Sequence, residues 1–447
     1  MYEYVIVGGG VHGTHLALRL LVETDLDHRD VRILEPRGRL LGAFRQQCRQ
    51  CGMTELRSPF VHHVGTDPFS LRDFARGRDR TDELHSSETG GDRPGVDLFF
   101  DHADWTIARH DLDSIVVPAR ATGVRRRGER LVVETSDEEF RTRRCLLAVG
   151  HGGAFARPAW AESLPAAAPV AHVYDEGFDP SAVGDESVCV VGGGITAAQV
   201  ATTLARPGRE VTVLSRSPLR VEQLEADNEW MHPGDSGRLR SHPPGSRARH
   251  EVVRDARRDG TIPPYVFRRL RRCVERDRID LRHTEIEAAT WTSGPVVANC
   301  ADGTAWCFDR VLLATGFSNS YQNPLYRSVS TALDLDRGYR GMPAVDDETL
   351  AWRRASGDSS RVHVTGVAAE SVLGPFARNV VGARRAGERL VAAHEEFERG
   401  ERDGRDERES EVETVEKCIA KKYNWERTEE NGKSVAQRPV ARSEGES

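Results

Sequence analysis

A strand, a glycine-rich turn and a helix occur twice in this chain, and this repeat constrains the fold more than any other feature. The first copy reads YVIVGGGVHGTHLALRL over residues 4–20, and the second reads VCVVGGGITAAQVATTL over residues 188–204. In each copy an apolar run leads directly into the glycines, and a helical pattern follows them. The repeat predicts two similar α/β folds in one chain.

The first turn has the spacing of a dinucleotide-binding loop. Gly8 permits the tight turn, Gly10 lets the backbone approach a pyrophosphate, and Gly13 lets the helix pack closely on the strand. The next strand, VRILEP, ends at Glu35. A carboxylate at this point accepts hydrogen bonds from ribose hydroxyls and repels a 2′-phosphate. This half is therefore predicted to bind the adenosine ribose of FAD or NAD.

The second turn differs at the position that selects the nucleotide. Gly192 and Gly194 keep the turn, and Ala197 takes the packing position of the third glycine. The strand that follows, VTVLSRS, ends at Ser215 and Arg216 instead of an acid. Because a guanidinium pairs with a 2′-phosphate, this half is predicted to prefer NADPH over NADH.

Each turn is followed later in the chain by an apolar strand that would return to its sheet. RCLLAVG ends at Gly150, RVLLATGF contains Thr315 and Gly316, and RVHVTGVAA contains Gly366. A run that reads as hairpin strands precedes the first two of these strands. The order predicts an FAD fold into which an NADPH fold is inserted, and these four residues are expected to line the cofactors.

The predicted fold class is therefore α/β, with two Rossmann-like dinucleotide-binding domains. We expect the FAD domain over residues 1–176, the NADPH domain over 184–309 and the completion of the FAD domain over 310–400. Residues 401–447 are rich in charged and poor in apolar side chains. Such a segment buries too little apolar surface to offset its ordering entropy, so we expect a disordered tail.

Composition excludes several other classes of function. The net charge is -7 at pH 7, and no basic run is interleaved with aromatics, so nucleic acid is not an expected partner. No apolar run reaches the length of a membrane helix, and the first residues do not read as a signal peptide. The 8 cysteines are too sparse for a disulfide framework. We therefore expect a cytoplasmic protein, and the oligomeric state stays open.

Beyond the two turns, the sequence resembles a known family. The segment GMTELRSPFVHH, with Met53, Leu56 and Pro59, follows the first ribose-binding acid, and LLATGF closes the second fold. Together with the double glycine pattern, these segments resemble the FAD- and NADPH-dependent monooxygenases that N-hydroxylate lysine and ornithine. The resemblance implies hydride transfer from NADPH to FAD and oxygen transfer to a small amine.

The same resemblance suggests which side chains line the flavin. His62, His63 and Asn379 are the candidate catalytic residues. Alternatively, the two histidines lie on a strand, where one would face the core and the other solvent, and Asn379 makes a hydrogen bond at a helix start. No metal is expected, because adjacent histidines on a strand do not easily bind one ion and no carboxylate stands at ligand spacing.

Two other functions stay open at this stage. The pair Cys48 and Cys51, in CRQC, would suit an NADPH-dependent disulfide or quinone reductase if a thiolate forms there. Alternatively, these are ordinary cysteines in a polar loop. A third possibility is a flavoprotein that binds its nucleotides without catalysis.

Overall fold

Two sheets with parallel central strands organise the computed structural model, which describes residues 1–87, 91–231 and 236–399. The chain divides into two compact units, Met1–Val391 and Ala392–Ser447. Both sheets belong to the first unit. Of the second unit, residues 392–399 are described, and they are helical. The tail predicted over 401–447 lies outside the described residues.

The first sheet is built around the N-terminal strand, Tyr2–Val7, whose last four residues are buried. This strand pairs in parallel with Val31–Leu34 on one side and with Glu139–Leu147 on the other. The strand Ser359–Val364 adds in parallel to Glu139–Leu147, which confirms the predicted last strand of this sheet. Within the described residues the sheet has eight strands. The other four are Val116–Val117, Ala121–Arg127, Arg130–Thr135 and Ala351–Arg353.

The second sheet repeats this arrangement with five parallel strands among the described residues. The strand after which the second glycine turn begins, Val188–Val191, lies between Val211–Leu214 and Arg310–Leu313. Asp280–Arg282 and Val170–His172 form the two edges. Both Val170–His172 and Arg310–Leu313 therefore belong to the second sheet, although the limits at 176 and 310 assigned them to the FAD domain. Parallel pairing with the second copy holds them there.

Antiparallel strands accompany both sheets. The predicted hairpin between Ala121–Arg127 and Arg130–Thr135 is confirmed. The second predicted run forms a three-stranded sheet of Ile286–Thr290, Val296–Cys300 and Ala305–Phe308. Two short pairs complete the described strands: Arg220–Val221 pairs in parallel with Thr261–Ile262, and Leu84–His85 pairs antiparallel with Arg93–Pro94.

The two predicted helices after the glycine turns are Val11–Glu23 and Ile195–Leu204, and each packs its apolar face on its own sheet. Within the described residues no helix combines the length and the apolar character needed to cross a membrane. The remaining described helices are Gly42–Cys51, Ser70–Arg76, Val96–Arg109, Ala159–Glu162, Ser236–Arg240, Arg247–Ala256, Pro264–Val274, Pro324–Leu333, Glu370–Leu373 and the helix over 380–399.

The segments over 222–231 and 236–258, which follow the second glycine turn in sequence, pack against the last part of the first fold. Their buried Trp230, Leu239 and Val253 form one apolar cluster with Phe376. A Cβ added to Gly374 would lie 3.3 Å from the Trp230 ring. This cluster covers the turn that precedes the helix over 380–399.

Candidate functional site

The first glycine turn has the geometry that its spacing predicted. Gly8 has φ +108°, and a Cβ there would lie 2.5 Å from the carbonyl oxygen of Ala148. A Cβ at Gly13 would lie 1.9 Å from the oxygen of Gly8. Beside Gly10, by contrast, an added Cβ would meet no described atom within 4 Å. The turn thus excludes side chains where it packs and is open where a ligand would approach.

The helix that starts after Gly10 offers an anion site. No side chain caps this helix, and its first turn holds no acidic residue. The first main-chain N–H groups of a helix have no partner within the helix, and they carry a partial positive charge. A pyrophosphate would satisfy them, so this end of the sheet fits the phosphates of a dinucleotide.

Glu35 stands at the end of the neighbouring strand and faces the turn. Its Oε2 accepts a hydrogen bond from the N–H of Gly9 at 2.9 Å, and its Oε1 accepts one from the N–H of Arg37 at 3.1 Å. The side chain is buried. Each carboxylate oxygen keeps a further lone pair, so the fixed carboxylate can still accept two ribose hydroxyls.

The second turn repeats the close main-chain packing of the first. Gly192 has φ +147°, and a Cβ there would lie 2.5 Å from the carbonyl oxygen of Ala314, which corresponds to Ala148 in the first fold. That Cβ would also lie 3.4 Å from the Cβ of Ala197, so alanine fits the packing position. The helix after Gly194 again has no side-chain cap and no acid in its first turn. Both turns therefore fit a dinucleotide.

Ser215 and Arg216 differ in what they can offer a ligand. Ser215 is buried, and its hydroxyl donates to the carbonyl oxygen of Ser217 at 2.7 Å. A Cβ at Gly193 would lie 2.3 Å from this hydroxyl, so the serine packs against the turn. Arg216 is exposed, and in the described part of the chain it forms no ion pair. Its guanidinium is available to an anion.

Three of the glycines predicted to line the cofactors each border open space. Gly150, Gly316 and Gly366 have φ values of +57°, +81° and +67°, which side chains rarely adopt. A Cβ at any of them would meet no described atom within 4 Å. Thr315 differs, because its hydroxyl donates to the carbonyl oxygen of Ala156 and so serves the turn itself.

The two adjacent histidines do not lie on a strand, because the chain forms a loop there. His63 is buried, and both of its ring nitrogens bond to the main chain. The N–H of Gly65 donates to Nδ1 at 3.0 Å, and Nε2 donates to the oxygen of Pro68 at 3.3 Å. Burial holds the pKa of His63 well below its usual value. His63 therefore has no nitrogen left for a substrate.

His62 is half-buried and differs from its neighbour. Burial, with the nearby Arg384 and Arg385, lowers the pKa of His62 to about 4. A neutral imidazole in a partly open position can accept or donate a hydrogen bond to a ligand. Of the two predicted histidines, His62 is the one whose surroundings leave it available.

Asn379 immediately precedes the helix over 380–399. Its carbonyl oxygen accepts the N–H of Gly382 at 2.9 Å and lies 3.2 Å from Nε2 of His12. Its side-chain Nδ2 donates to Oε2 of Glu225 at 3.4 Å. Asn379 thus joins the first turn to the segment over 222–231. Neither His12 nor Glu225 stands at a fixed position of the glycine pattern, so the sequence carries no signal for these contacts.

The segment around Met53 and Pro59 joins the two folds through Arg57. Its guanidinium donates from Nε to the oxygen of Gln223 at 2.7 Å and from Nη2 to the hydroxyl of Thr261 at 2.9 Å. A further ion pair links Glu55 to Arg269 at 2.7 Å. These contacts hold the loop that carries His62 against the second fold.

Cys48 and Cys51 lie on the helix Gly42–Cys51, not in a polar loop, and both are buried. They are free thiols in this structure. Burial raises the pKa of Cys51 to about 11 and that of Cys48 further above its usual value. A Cβ at the following Gly52 would lie 1.9 Å from the hydroxyl of Thr203, so the end of this helix packs against Ile195–Leu204. Protonated, enclosed thiols are poor nucleophiles.

Comparison with protein families agrees with the geometry of the turns. Residues 5–152 match a family described as FAD-NAD(P)-binding. Residues 106–243 match a family described as pyridine nucleotide-disulphide oxidoreductase. Among curated proteins no match was found. The predicted α/β class with FAD- and NAD(P)-binding domains is confirmed.

Solved structures show the same fold over most of the chain. The ornithine N-hydroxylase KtzI of Kutzneria sp. 744 has a TM-score of 0.71 at 17% identity, with 89% of this chain and 100% of that chain covered. The cadaverine monooxygenase DfoA of Erwinia amylovora has a TM-score of 0.69 at 16% identity, with coverages of 88% and 94%. The bacillithiol disulfide reductase Bdr of Staphylococcus aureus reaches 0.58 at 16% identity, with coverages of 88% and 98%. The chain therefore has an FAD/NAD(P)-binding oxidoreductase fold that resembles the fold of the lysine and ornithine N-hydroxylating monooxygenases.

Proposed function

We propose that this protein is an FAD- and NADPH-dependent monooxygenase that N-hydroxylates a small amine. The observation that carries the proposal is the pair of matching turns, in which an acid stands at the first ribose position and an exposed arginine at the second. The first turn with Glu35 suits FAD, and the second turn with Arg216 suits NADPH. The similarity in fold to an ornithine N-hydroxylase and to a cadaverine monooxygenase supports an amine as substrate.

The proposed domains follow the two sheets. The FAD domain comprises residues 1–169 and 314–391, and the NADPH domain comprises 170–313, because the strands Val170–His172 and Arg310–Leu313 pair within the second sheet. The chain crosses between the domains after residue 169 and after residue 313. Gly150 and Gly316, on the FAD side of these crossings, border open space. The two cofactors would approach each other there.

When bound, NADPH supplies a hydride and FAD passes the electrons to oxygen. The residues of this chain bind and orient the cofactors and exclude water. The helix starting at Val11 holds the phosphates of FAD, and Glu35 accepts its ribose hydroxyls. Arg216 pairs with the 2′-phosphate of NADPH. Gly150, Gly316 and Gly366 let the main chain approach the bound cofactors closely.

Two further side chains would act near the substrate. The neutral imidazole of His62 offers a hydrogen bond from the loop held by Arg57, and Asn379 fixes the start of the helix over 380–399. The apolar cluster around Trp230 covers the turn before that helix and keeps bulk water away from it. Exclusion of water favours oxygen transfer over the release of hydrogen peroxide.

A disulfide or quinone reductase is the second candidate, favoured by the fold of Bdr. The raised pKa of Cys51 and the burial of Cys48 argue against thiol exchange at this pair. A quinone would need no thiol, so that acceptor is tested directly in the experiment below.

The experiment is a screen of the FAD-loaded protein with NADPH and oxygen. Lysine, ornithine and cadaverine are each added, and a small disulfide and a quinone are added in separate reactions. NADPH oxidation, hydrogen peroxide and hydroxylamine product are measured together. The proposal predicts that one amine yields hydroxylamine and lowers the peroxide released per NADPH. NADPH oxidation that responds to a disulfide or quinone and to no amine would assign the protein to the reductases. Tight FAD binding without any NADPH oxidation would identify a non-catalytic protein.

A further inference from the structure

His12, one of the two residues between Gly10 and Gly13, reaches away from its own turn. Its Nδ1 lies 2.8 Å from the hydroxyl oxygen of Thr365, and its Nε2 lies 3.2 Å from the carbonyl oxygen of Asn379. These partners stand 353 and 367 residues further along the chain. One imidazole therefore joins the start of the first fold to two segments that complete it.

The partners determine which ring nitrogen carries the proton. A carbonyl oxygen only accepts, so Nε2 of His12 must donate to Asn379. Nδ1 is then the acceptor, and the hydroxyl of Thr365 donates to it. The imidazole is neutral in this arrangement, and burial lowers the pKa of His12 to about 4. Both nitrogens are thus used, each in a fixed role.

Both partners lie where a bound dinucleotide would pass. Thr365 is fully buried and follows the strand Ser359–Val364, and the next residue, Gly366, has φ +67° and borders open space. Asn379 starts the helix over 380–399, and its side chain donates to Glu225. The first glycine turn, the turn at Gly366 and this helix start are therefore connected through a single side chain.

We propose that His12 is a positioning residue for FAD, which holds the first glycine turn in register with the Thr365–Gly366 turn and with Asn379. The ring does not need to touch the cofactor. It fixes the distance between the turn that receives the phosphates and the two segments that receive the rest of the dinucleotide. The inference rests on the FAD part of the proposed function and is independent of the substrate and the reaction.

Four single variants separate the two hydrogen bonds. His12→Asn places an acceptor near the position of Nδ1, and His12→Gln places a donor near the position of Nε2. Thr365→Val removes the hydroxyl at almost constant volume, and Thr365→Ser keeps it. FAD affinity is measured from flavin released when the holoprotein is diluted, and the visible circular dichroism of the bound flavin reports its surroundings.

We expect Thr365→Val to weaken FAD binding about tenfold, because it leaves the buried Nδ1 without a partner, and Thr365→Ser to stay close to the parent. His12→Asn and His12→Gln should each retain part of the affinity. The double variant His12→Gln with Thr365→Val should be no weaker than the worse single variant, since both remove the same bond. NADPH affinity should not change.

The inference is overturned if Thr365→Val and Thr365→Ser bind FAD equally well with the same flavin circular dichroism. It is also overturned if the variants lower the urea midpoint of the apoprotein while the FAD affinity stays constant, because that result assigns His12 a role in stability alone. Failure to hydroxylate any amine leaves these binding measurements intact, so the two proposals fail separately.

Discussion

The main-chain N–H of Gly9 donates to Oε2 of Glu35 at 2.9 Å, and this bond joins the first glycine turn to the end of the neighbouring strand. A Cβ at Gly9 would lie 3.0 Å from the Cβ of Glu35, so the glutamate side chain packs directly against the main chain of the turn. The carboxylate is therefore held by the loop before any ribose arrives. Such preorganisation lowers the entropy lost when a ligand binds.

Replacing Glu35 should weaken FAD binding. Glu35→Gln keeps the size of the side chain but removes one acceptor, and Glu35→Ala removes both. Loss of a charged hydrogen bond of about 1.5–3 kcal/mol predicts a rise of about 10- to 150-fold in the dissociation constant for Glu35→Ala, with a smaller rise for Glu35→Gln. Flavin release on dilution measures this dissociation constant. Glu129→Gln, at an exposed turn, is the control. Unchanged affinity in Glu35→Ala would remove this residue from the site.

Replacing Arg216 should affect NADPH and spare NADH. Arg216→Ala removes the guanidinium that is proposed to pair with the 2′-phosphate, so the KM for NADPH should rise by about 10- to 100-fold while the KM for NADH changes little. Steady-state oxidation of both nucleotides measures the difference. Arg272→Ala is the matched control, because that side chain is exposed on the helix Pro264–Val274. Equal losses for both nucleotides would contradict the assignment.

Two glycines of the first turn should respond differently to alanine. At Gly13 the new Cβ would overlap the oxygen of Gly8, so Gly13→Ala should lower the free energy of unfolding of the apoprotein. Gly10→Ala meets no described atom within 4 Å and should leave that free energy within about 0.5 kcal/mol, yet it should weaken FAD binding because it fills ligand space. Urea unfolding and flavin release separate the two effects. Normal FAD binding by Gly10→Ala would place the phosphates elsewhere.

Acid should destabilise the protein through its buried histidines. Burial lowers the pKa of His102 and His363 to about 4 and that of His15 to about 3. In the unfolded chain these groups titrate near 6.5, so between about pH 6.5 and 4 the unfolded state binds protons that the native state does not. Stability present above pH 6.5 is therefore lost as the pH falls through this window. Urea midpoints at pH 7.5 and 5.0 measure the loss.

A variant of His363 isolates this effect from other titrating groups. The number of protons taken up on unfolding sets how steeply the free energy of unfolding depends on pH. His363→Gln should lower this number by about one between pH 6.5 and 4. The imidazole of His363 is buried, and its Nδ1 donates to the main-chain oxygen of Thr349 at 2.9 Å. An unchanged slope in His363→Gln would show that the imidazole titrates in the native state as it does in the unfolded chain.

The cysteine pair should be dispensable for NADPH oxidation. Cys48→Ala with Cys51→Ala removes both buried thiols, so turnover should be retained while the free energy of unfolding falls by about 1–3 kcal/mol from lost packing. Cys307→Ala, at an exposed position, should change neither the turnover nor the free energy of unfolding. Loss of electron transfer in the double variant, with FAD and NADPH still bound, would favour the disulfide reductase.

Most of the fold could be predicted because its signals are local. The glycine spacing determined where Tyr2–Val7 and Val188–Val191 end and where their helices begin. Each requirement acts within a few residues, through a positive φ or a close approach to Ala148 or Ala314. The sheet to which Arg310–Leu313 belongs was harder to predict, because it depends on pairing with strands far away in sequence.

Tertiary packing decided the points on which sequence patterns were wrong. His62 and His63 have the apolar and polar neighbours of a strand, but the loop around them is held by Arg57 and by bonds within the loop. The polar residues around Cys48 suggested a loop, whereas they form the exposed face of a helix. The contacts of His12 could not be predicted, because its partners lie 353 residues and more away.

The most direct test of the proposed function traces the oxygen atom. The FAD-loaded protein is incubated with NADPH, the amine selected by the screen and oxygen labelled with ¹⁸O, and the product is analysed by mass spectrometry. We predict an N-hydroxylated amine with one labelled oxygen atom, formed only when NADPH is present. Oxidation of NADPH with label found solely in hydrogen peroxide or water, for every amine tried, would contradict it.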